Sequence, residues 1–407
     1  MKPFEGIKVL DLTQFTAGPF STMILSDLGA DVIKFENPPV GDVNRYVTPT
    51  KNKKTVYYTG PNRGKKSVVM NLKDERQRKV FYKMVETADV VASNYKTGTL
   101  EKLGVDYETL SKINPRIVVL AISGYGQTGP WRNRAAYDRA VQAASGIMSL
   151  NGVMNGGPTT VGISIADMLG GLWGCIGMIA ALYEAKMTGK GRFVDISMMD
   201  AVMATIEAPI CRYLMNGEIA KPMGNRHPSA VPQGVYRTKD GVDIMIAVSS
   251  EPQFGKLCAL FGHPEYASDP RFVTQKERLE NREATDEMVQ SCVGSMSASE
   301  LCEALEKNAL VFSRIQNVAD VVNCEQTKAR KMIANVTYPD GTVINDPACP
   351  IKFSDMEEQT EFRAADLGEH TIEILTQYED PELIHEIFDP VIAAAQETYA
   401  ERSANLQ

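Results

Sequence analysis

Gly6-Ile7-Lys8-Val9-Leu10-Asp11-Leu12, a helix-compatible segment at residues 21–28, Gly29 as a stop, and Asp31-Val32-Ile33-Lys34-Phe35 together decide the fold. Two short aliphatic runs flanking one helical segment spell a βαβ unit. Outward from it the alternation continues, with strands expected at 67–70, 89–92 and 116–122 and helices at 74–87 and 107–112. Repeated units of this kind specify an α/β domain with a mainly parallel sheet.

A parallel sheet of this type invites a dinucleotide reading, with Glu36 at the end of the second strand in the place of a ribose ligand. The turn after the first strand, Thr13-Gln14-Phe15-Thr16-Ala17-Gly18-Pro19, has one glycine where that fingerprint wants three. A pyrophosphate therefore has no close backbone approach, which argues against NAD there.

From about residue 223 the texture changes. Gly224-Asn225-Arg226-His227-Pro228 leads into strands expected at 234–238 and 242–248 around a Lys239-Asp240-Gly241 turn, followed by charged helical segments to about residue 310. These features indicate a smaller α+β domain. Residues 333–338 and 343–344 flank a Pro339-Asp340-Gly341 turn, residues 350–354 follow, and an amphipathic helix closes the chain after Glu369.

The 407 residues suit two domains. The net charge of −8 disfavours nucleic acid as a partner, because strand binding needs a basic face. The seven cysteines are odd in number and form no C-x-x-C pair, so free thiols in a cytoplasmic, reducing setting are expected, with no metal site. The N-terminus lacks a signal-peptide core. The apolar run 168–183 is short of the roughly 20 residues a membrane helix needs, and reads as a buried helix rather than a membrane contact.

Three stretches carry candidate chemistry. Lys51, Lys53, Lys54, Arg63, Lys65 and Lys66 form a run of six cations without an acid. It is either a solvated loop or the partner of a phosphorylated ligand. Asp167, at the start of the apolar run, is either an N-cap or a carboxylate nucleophile kept ionised by the helix N-terminus, beside donors for an oxyanion. Ser123-Gly124-Tyr125-Gly126-Gln127-Thr128-Gly129-Pro130 follows a strand, at the edge where open α/β sheets bind ligands.

In order along the chain, Ala17-Gly18-Pro19, the 28–36 block, Asn71-Leu72-Lys73, Asn94-Tyr95, residues 98–104, the 124–130 glycine loop, Tyr137-Asp138, Asp167, residues 224–228 and residues 367–371 resemble the class III CoA transferases, the CaiB/BaiF family. The resemblance is collinear over nearly the whole chain. It implies a Rossmann-like large domain built from both chain ends (1–205 and 326–407), a linker and small domain at 206–325, and an interlocked homodimer. It also implies transfer of CoA from an acyl-CoA to a carboxylic acid through an anhydride and then a CoA thioester on Asp167. Coenzyme A is the substrate, and no prosthetic group is needed. By position, CoA contacts fall on Phe15, Thr16, Ala17, Met70, Leu72, Lys73, Asn94, Tyr95, Lys96, Lys102 and Leu103. Substrate contacts fall on Gln14, Gly124, Gly126, Tyr137 and Asp138. Lys102 stands where an arginine is common, so its phosphate contact is a point charge. Racemases of the family need a His-Asp pair where this chain has Tyr137-Asp138, which favours transfer. A non-catalytic CoA-binding protein is the other alternative.

Overall fold

Six strands, β1 (Lys8–Asp11), β2 (Asp31–Glu36), β3 (Lys66–Val69), β4 (Val90–Ser93), β5 (Val118–Ser123) and β6 (Phe193–Ser197), form one parallel sheet in the order β3-β2-β1-β4-β5-β6. The computed structural model describes residues 2–355 and 362–404. The strands read as aliphatic runs because both faces of a parallel sheet are covered. Leu10, Phe35, Phe81 and Met84 pack on one face with Ile384 and Phe388 from the C-terminal helix Pro381–Ala404, so both chain ends share this core. Val9, Val32, Leu120, Met178 and Leu182 fill the other face.

Helix α1 spans Ala17–Asp27, four residues earlier than expected. Pro19 lies inside its first turn, where the missing N–H has no intrahelical partner to lose. Helix α2 covers Asp138–Ala144 and helix α3 covers Ile165–Thr188. At 24 residues, α3 is longer than the apolar run suggested, and by length and composition it is apolar enough to cross a membrane. Its inner side is instead a glycine surface in close packing. A Cβ on Gly171 would lie 2.6 Å from the Ala17 carbonyl oxygen, and one on Gly174 would lie 2.8 Å from Ile122 Cδ1. The outer side is not buried as expected: Leu172, Trp173 and Ile176 are exposed.

The chain divides into two compact units, one of residues 1–147, 160–218 and 328–407, the other of residues 148–159 and 219–327. The short segment 148–159 joins the second unit, where Gly224 N–H donates to the Gly152 carbonyl. That unit has a three-stranded antiparallel sheet of β7 (Gln233–Arg237), β8 (Asp243–Ala247) and β9 (Val311–Arg314). Helices bury Phe254, Leu257, Val289 and Leu301 against Tyr236 and Ile244. In the first unit, β10 (Ile333–Thr337) and β11 (Val343–Pro347) pair antiparallel around the expected turn.

Candidate active site

The order of the sheet reverses between β1 and β4, so the loops leaving their carboxyl ends diverge and open a crevice, where open α/β sheets bind ligands. The loop after β1 is held from both sides. Gln14 N–H donates to Asn94 Oδ1 at 2.9 Å, and Asn94 Nδ2 donates back to the Gln14 carbonyl at 2.6 Å. Phe15 adopts φ +63°, a left-handed conformation costly for a bulky residue. The residues after β2 keep it there: Phe15 N–H donates to Asp42 Oδ1 at 3.3 Å, and Asn44 Nδ2 donates to the Phe15 carbonyl at 2.7 Å.

Beneath this loop lies a buried charge network. Lys34 pairs with Asp42 at 3.0 Å and donates to the Thr13 carbonyl at 2.7 Å, while Lys65 pairs with Asp11 at 3.0 Å. Glu36 accepts from Arg45 Nε and Nη2 at 2.8 and 2.7 Å and from Ser67 Oγ at 2.6 Å. Burial opposes its ionisation, but the Arg45 guanidinium overcomes that cost and holds the Glu36 carboxyl down to about 2. Glu36 is therefore part of the interior and faces no ribose.

The same network corrects the reading of the basic run. Lys65 is buried against Asp11, Arg63 pairs with Asp27, Lys66 with Asp31, and Lys54 with Asp366. Lys51 Nζ donates to the Val343 carbonyl. Five of the six cations thus hold the chain to itself, leaving Lys53 exposed and without an ion pair among the described residues.

Asp167 is the third residue of α3, not its cap. The cap position is Ser164, whose side chain makes no capping bond. The first-turn donors go to a different carboxylate: Asp138 Oδ1 accepts from Ala166 N–H at 2.8 Å and Asp167 N–H at 3.4 Å. Asp138 opens α2 and is 8% exposed. Its Oδ2 accepts from Gln142 Nε2 at 2.7 Å, and Gln142 Oε1 in turn accepts from Val161 N–H at 2.9 Å. The expectation that the helix N-terminus keeps Asp167 ionised is thereby overturned. Burial, and secondly the Asp138 carboxylate, push Asp167 up to about 7. Its own carboxylate has no hydrogen-bond donor and no ion-pair partner among the described residues.

Asp167 lies in the wall of a cleft of about 760 Å³. The structure brings to this cleft Gln14, Phe15, Thr16 and Ala17 from the first loop, and Asn94, Tyr95 and Lys96 from the loop after β4. Gly124, Tyr137 and Asp138 complete the expected set. Tyr137 is 73% exposed, its ring edge-on to Phe15 at 6.3 Å. Other expected residues lie outside the cleft. Met70 and Leu72 are buried in the core, Lys73 and Lys102 are exposed, and Leu103 packs beside the core. Gly126, at φ +83°, forms a turn in which the next residue, Gln127, donates its N–H to the Asp195 carboxylate at 3.1 Å.

Of the cations in the cleft, sequence reasoning named Lys96 and missed the arginines. Arg132, Arg134 and Arg139 line it with Lys96, none in an ion pair among the described residues, and Arg134 stacks on Trp131 at 4.1 Å. The available signal is three arginines within eight positions, interrupted by the single acid Asp138.

The sequence model of CoA-transferase family III matches residues 4–371. An acetyl-CoA:oxalate CoA-transferase of Acetobacter aceti is 39% identical, over 88% of this chain and 91% of that protein. A succinate–glutarate CoA-transferase of Agrobacterium fabrum is 34% identical over 93% and 96%. The crystal structure of a CAIB/BAIF family protein from Brucella suis superposes with a TM-score of 0.82 at 36% identity, covering 93% of this chain and 100% of that one.

Proposed function

The chain belongs to CoA-transferase family III and is a CoA-transferase, and we propose that it moves CoA from an acyl-CoA to a carboxylic acid through covalent intermediates on Asp167. One observation carries this reading: in the wall of the crevice beside the sheet's switch point stands a carboxylate with no protein partner among the described residues. Asp167 is half-buried, so this unpaired carboxylate is both desolvated and open to a ligand in the cleft.

In the first step an Asp167 oxygen attacks the thioester carbonyl carbon, the C–S bond breaks, and the electron pair leaves on the CoA thiolate. The product is an acyl-aspartyl anhydride. The thiolate then attacks the Asp167 carbonyl carbon and expels the donor acid as its carboxylate, leaving an aspartyl-CoA thioester. The acceptor carboxylate reverses both steps, and Asp167 returns to its starting form. No net proton or electron is required, and each step is written with Asp167, the thioester and the acid alone.

Lys96, Arg132, Arg134 and Arg139 supply the positive charge that the CoA phosphates and an acidic acceptor call for. The acceptor we favour is a short dicarboxylate. Both curated relatives above are named for such acids, and the unpaired cations suit a second carboxylate. No histidine lines the cleft among the described residues, which leaves the racemase reading without its base.

We further place the enzyme as a homodimer, interlocked as the resemblance implies. Support comes from the exposed apolar face of α3 at Leu172, Trp173 and Ile176, and from Tyr213, Leu214 and Met215 on the helix Glu207–Asn216. The cysteines among the described residues are free thiols, in keeping with a reducing cytoplasm.

The test incubates the enzyme with acetyl-CoA, succinyl-CoA or oxalyl-CoA and a panel of acids, following ester exchange by mass spectrometry. Hydroxylamine added with acyl-CoA alone should convert Asp167 to its hydroxamate. Full exchange activity in Asp167→Ala would refute the mechanism.

A further inference from the structure

We propose that Asp138 and Gln142 are positioning residues for the nucleophile: together they cap the helix of Asp167 from outside and occupy the main-chain donors that would otherwise solvate its carboxylate. The inference rests on the reading of Asp167 as the attacking group.

The reasoning begins with α2. Asp138 and Gln142 are four residues apart and so share one face of that helix. Both are buried, Gln142 completely. Gln142 works as a connector. Its Oε1 takes Val161 N–H at 2.9 Å, and its Nε2 donates to the Ile163 carbonyl at 3.3 Å and to Asp138 Oδ2 at 2.7 Å. The chain entering α3 and the carboxylate capping α3 are therefore anchored to one amide. Asp138 Oδ1 then reaches the N–H groups of Ala166 and of Asp167 itself.

Two consequences follow for Asp167. Its backbone is held by a residue from another helix, so its carboxylate has a defined place in the cleft wall. The helix N-terminus, which normally favours a neighbouring anion, already has its anion in Asp138. Burial already disfavours the Asp167 anion, and it meets the repulsion of the Asp138 charge without the compensating donors, so that its carboxyl is pushed up to about 7. A carboxylate of that basicity lies closer to a thiol, at about 8.5, than an ordinary aspartate does. Displacing CoA thiolate to form the anhydride is less uphill for it.

The ionisable groups sharing the cleft with Asp167 are Tyr137, Asp138, Arg132, Arg134 and Arg139 from the 130–139 stretch, and Tyr95 and Lys96 from the loop after β4. The first loop, Ser164 and Met198 contribute none. Asp138 is thus the acid among them, and the cations oppose its effect.

Asp138→Asn keeps an oxygen to cap the helix and removes the charge, at the loss of the bond accepted from Gln142 Nε2. In the profile of kcat/KM for acyl-CoA against pH, activity should rise with pH through a midpoint near 7 in the wild type. In Asp138→Asn that midpoint should fall by about one unit, and kcat on the alkaline plateau should drop several-fold. Gln142→Leu, which cuts the connector while leaving the charge, should lower kcat about tenfold with KM for acyl-CoA within about twofold. It carries the test if Asp138→Asn does not fold. An unmoved midpoint in Asp138→Asn, or an unchanged kcat in folded Gln142→Leu, overturns the proposal. Hydroxylamine separates the two readings. If Asp167 is still labelled while the midpoint stays put, the positioning role falls alone, and if wild-type Asp167 is never labelled, the nucleophile reading falls first.

Discussion

Two acidic sites in the same unit are treated in opposite ways. Under the first loop, Asp11, Glu36 and Asp42 each lie against a buried cation, Lys65, Arg45 or Lys34. At the start of α3, Asp138 and Asp167 lie close to each other with no cation paired to either among the described residues. Glu36 titrates at about 2 and Asp167 at about 7, although burial disfavours the charge in both. Burial raises both, and only at Glu36 does a neighbouring cation outweigh it, whereas at Asp167 the neighbouring acid adds to it. The charges of the buried network are neutralised in pairs, and the two carboxylates at the cleft are left facing each other.

The most severe way to break this contrast is to remove the unpaired acid. Asp167→Asn should reduce exchange at least about a thousandfold, as loss of a covalent nucleophile does. The same variant should be more stable than wild type at pH 8. The sign follows from linkage. A carboxyl raised from 3.8 to about 7 holds its proton longer in the folded state, so wild-type stability falls as pH climbs between those values. The advantage of the asparagine variant should be complete above about pH 7 and absent below about pH 4, as read from thermal unfolding at several pH values.

The second test attacks the paired side. Arg45→Met leaves Glu36 buried without its cation and should destabilise the protein by ~3–5 kcal/mol. Pairing it with Glu36→Gln should recover much of the loss. Here the pH slope is reversed. The depressed Glu36 carboxyl contributes stability that is present above 4.5 and is lost as pH falls toward 2, so Arg45→Met should abolish part of the wild type's acid-limb loss. A variant of unchanged stability would mean that the network contributes nothing net.

The smallest effect sharpens the same distinction among cations. Arg134 lines the cleft without an ion pair among the described residues, whereas Lys54 is held by Asp366. Arg134→Ala should raise KM for acyl-CoA about fivefold, worth ~1 kcal/mol, with kcat nearly constant. Lys54→Met should leave KM within about twofold. Equal effects in steady-state kinetics would return the 51–66 run to the ligand.

What is legible in the sequence follows from local pattern. The aliphatic runs of β1, β2, β4 and β5 announce themselves because a strand in a two-sided sheet is mostly apolar, the paired charges Asp11, Lys34 and Glu36 being the exceptions. The Gln14 loop, Asn94, Tyr137 and Asp167 stand out as motif positions and do meet in one cleft. What escapes depends on partners remote in sequence. Nothing about residues 51–66 reveals that Lys65 will meet Asp11, or Lys54 meet Asp366. Nothing near Asp167 reveals that Asp138, in another helix, takes its helix's donors. Charge in a sequence is a count, whereas charge in a fold is a matter of who stands next to whom. The arginines of the 130–139 stretch are easily passed over for the same reason, since a richer basic run stands elsewhere.

The amide exchange between Asn94 and Gln14 has one more consequence. Parallel strands β1 and β4 part company just before it, and there the side chain of Asn94 offers one donor and one acceptor in the manner of a peptide unit. It extends the ladder by a single rung after the backbone has run out. An aspartate would offer no donor, a leucine neither group, and a glutamine carries one methylene too many for the same reach. The position behaves less like a variable side chain than like a short length of main chain, and tolerance to substitution there should be the narrowest of any polar residue in the cleft that takes no part in the chemistry.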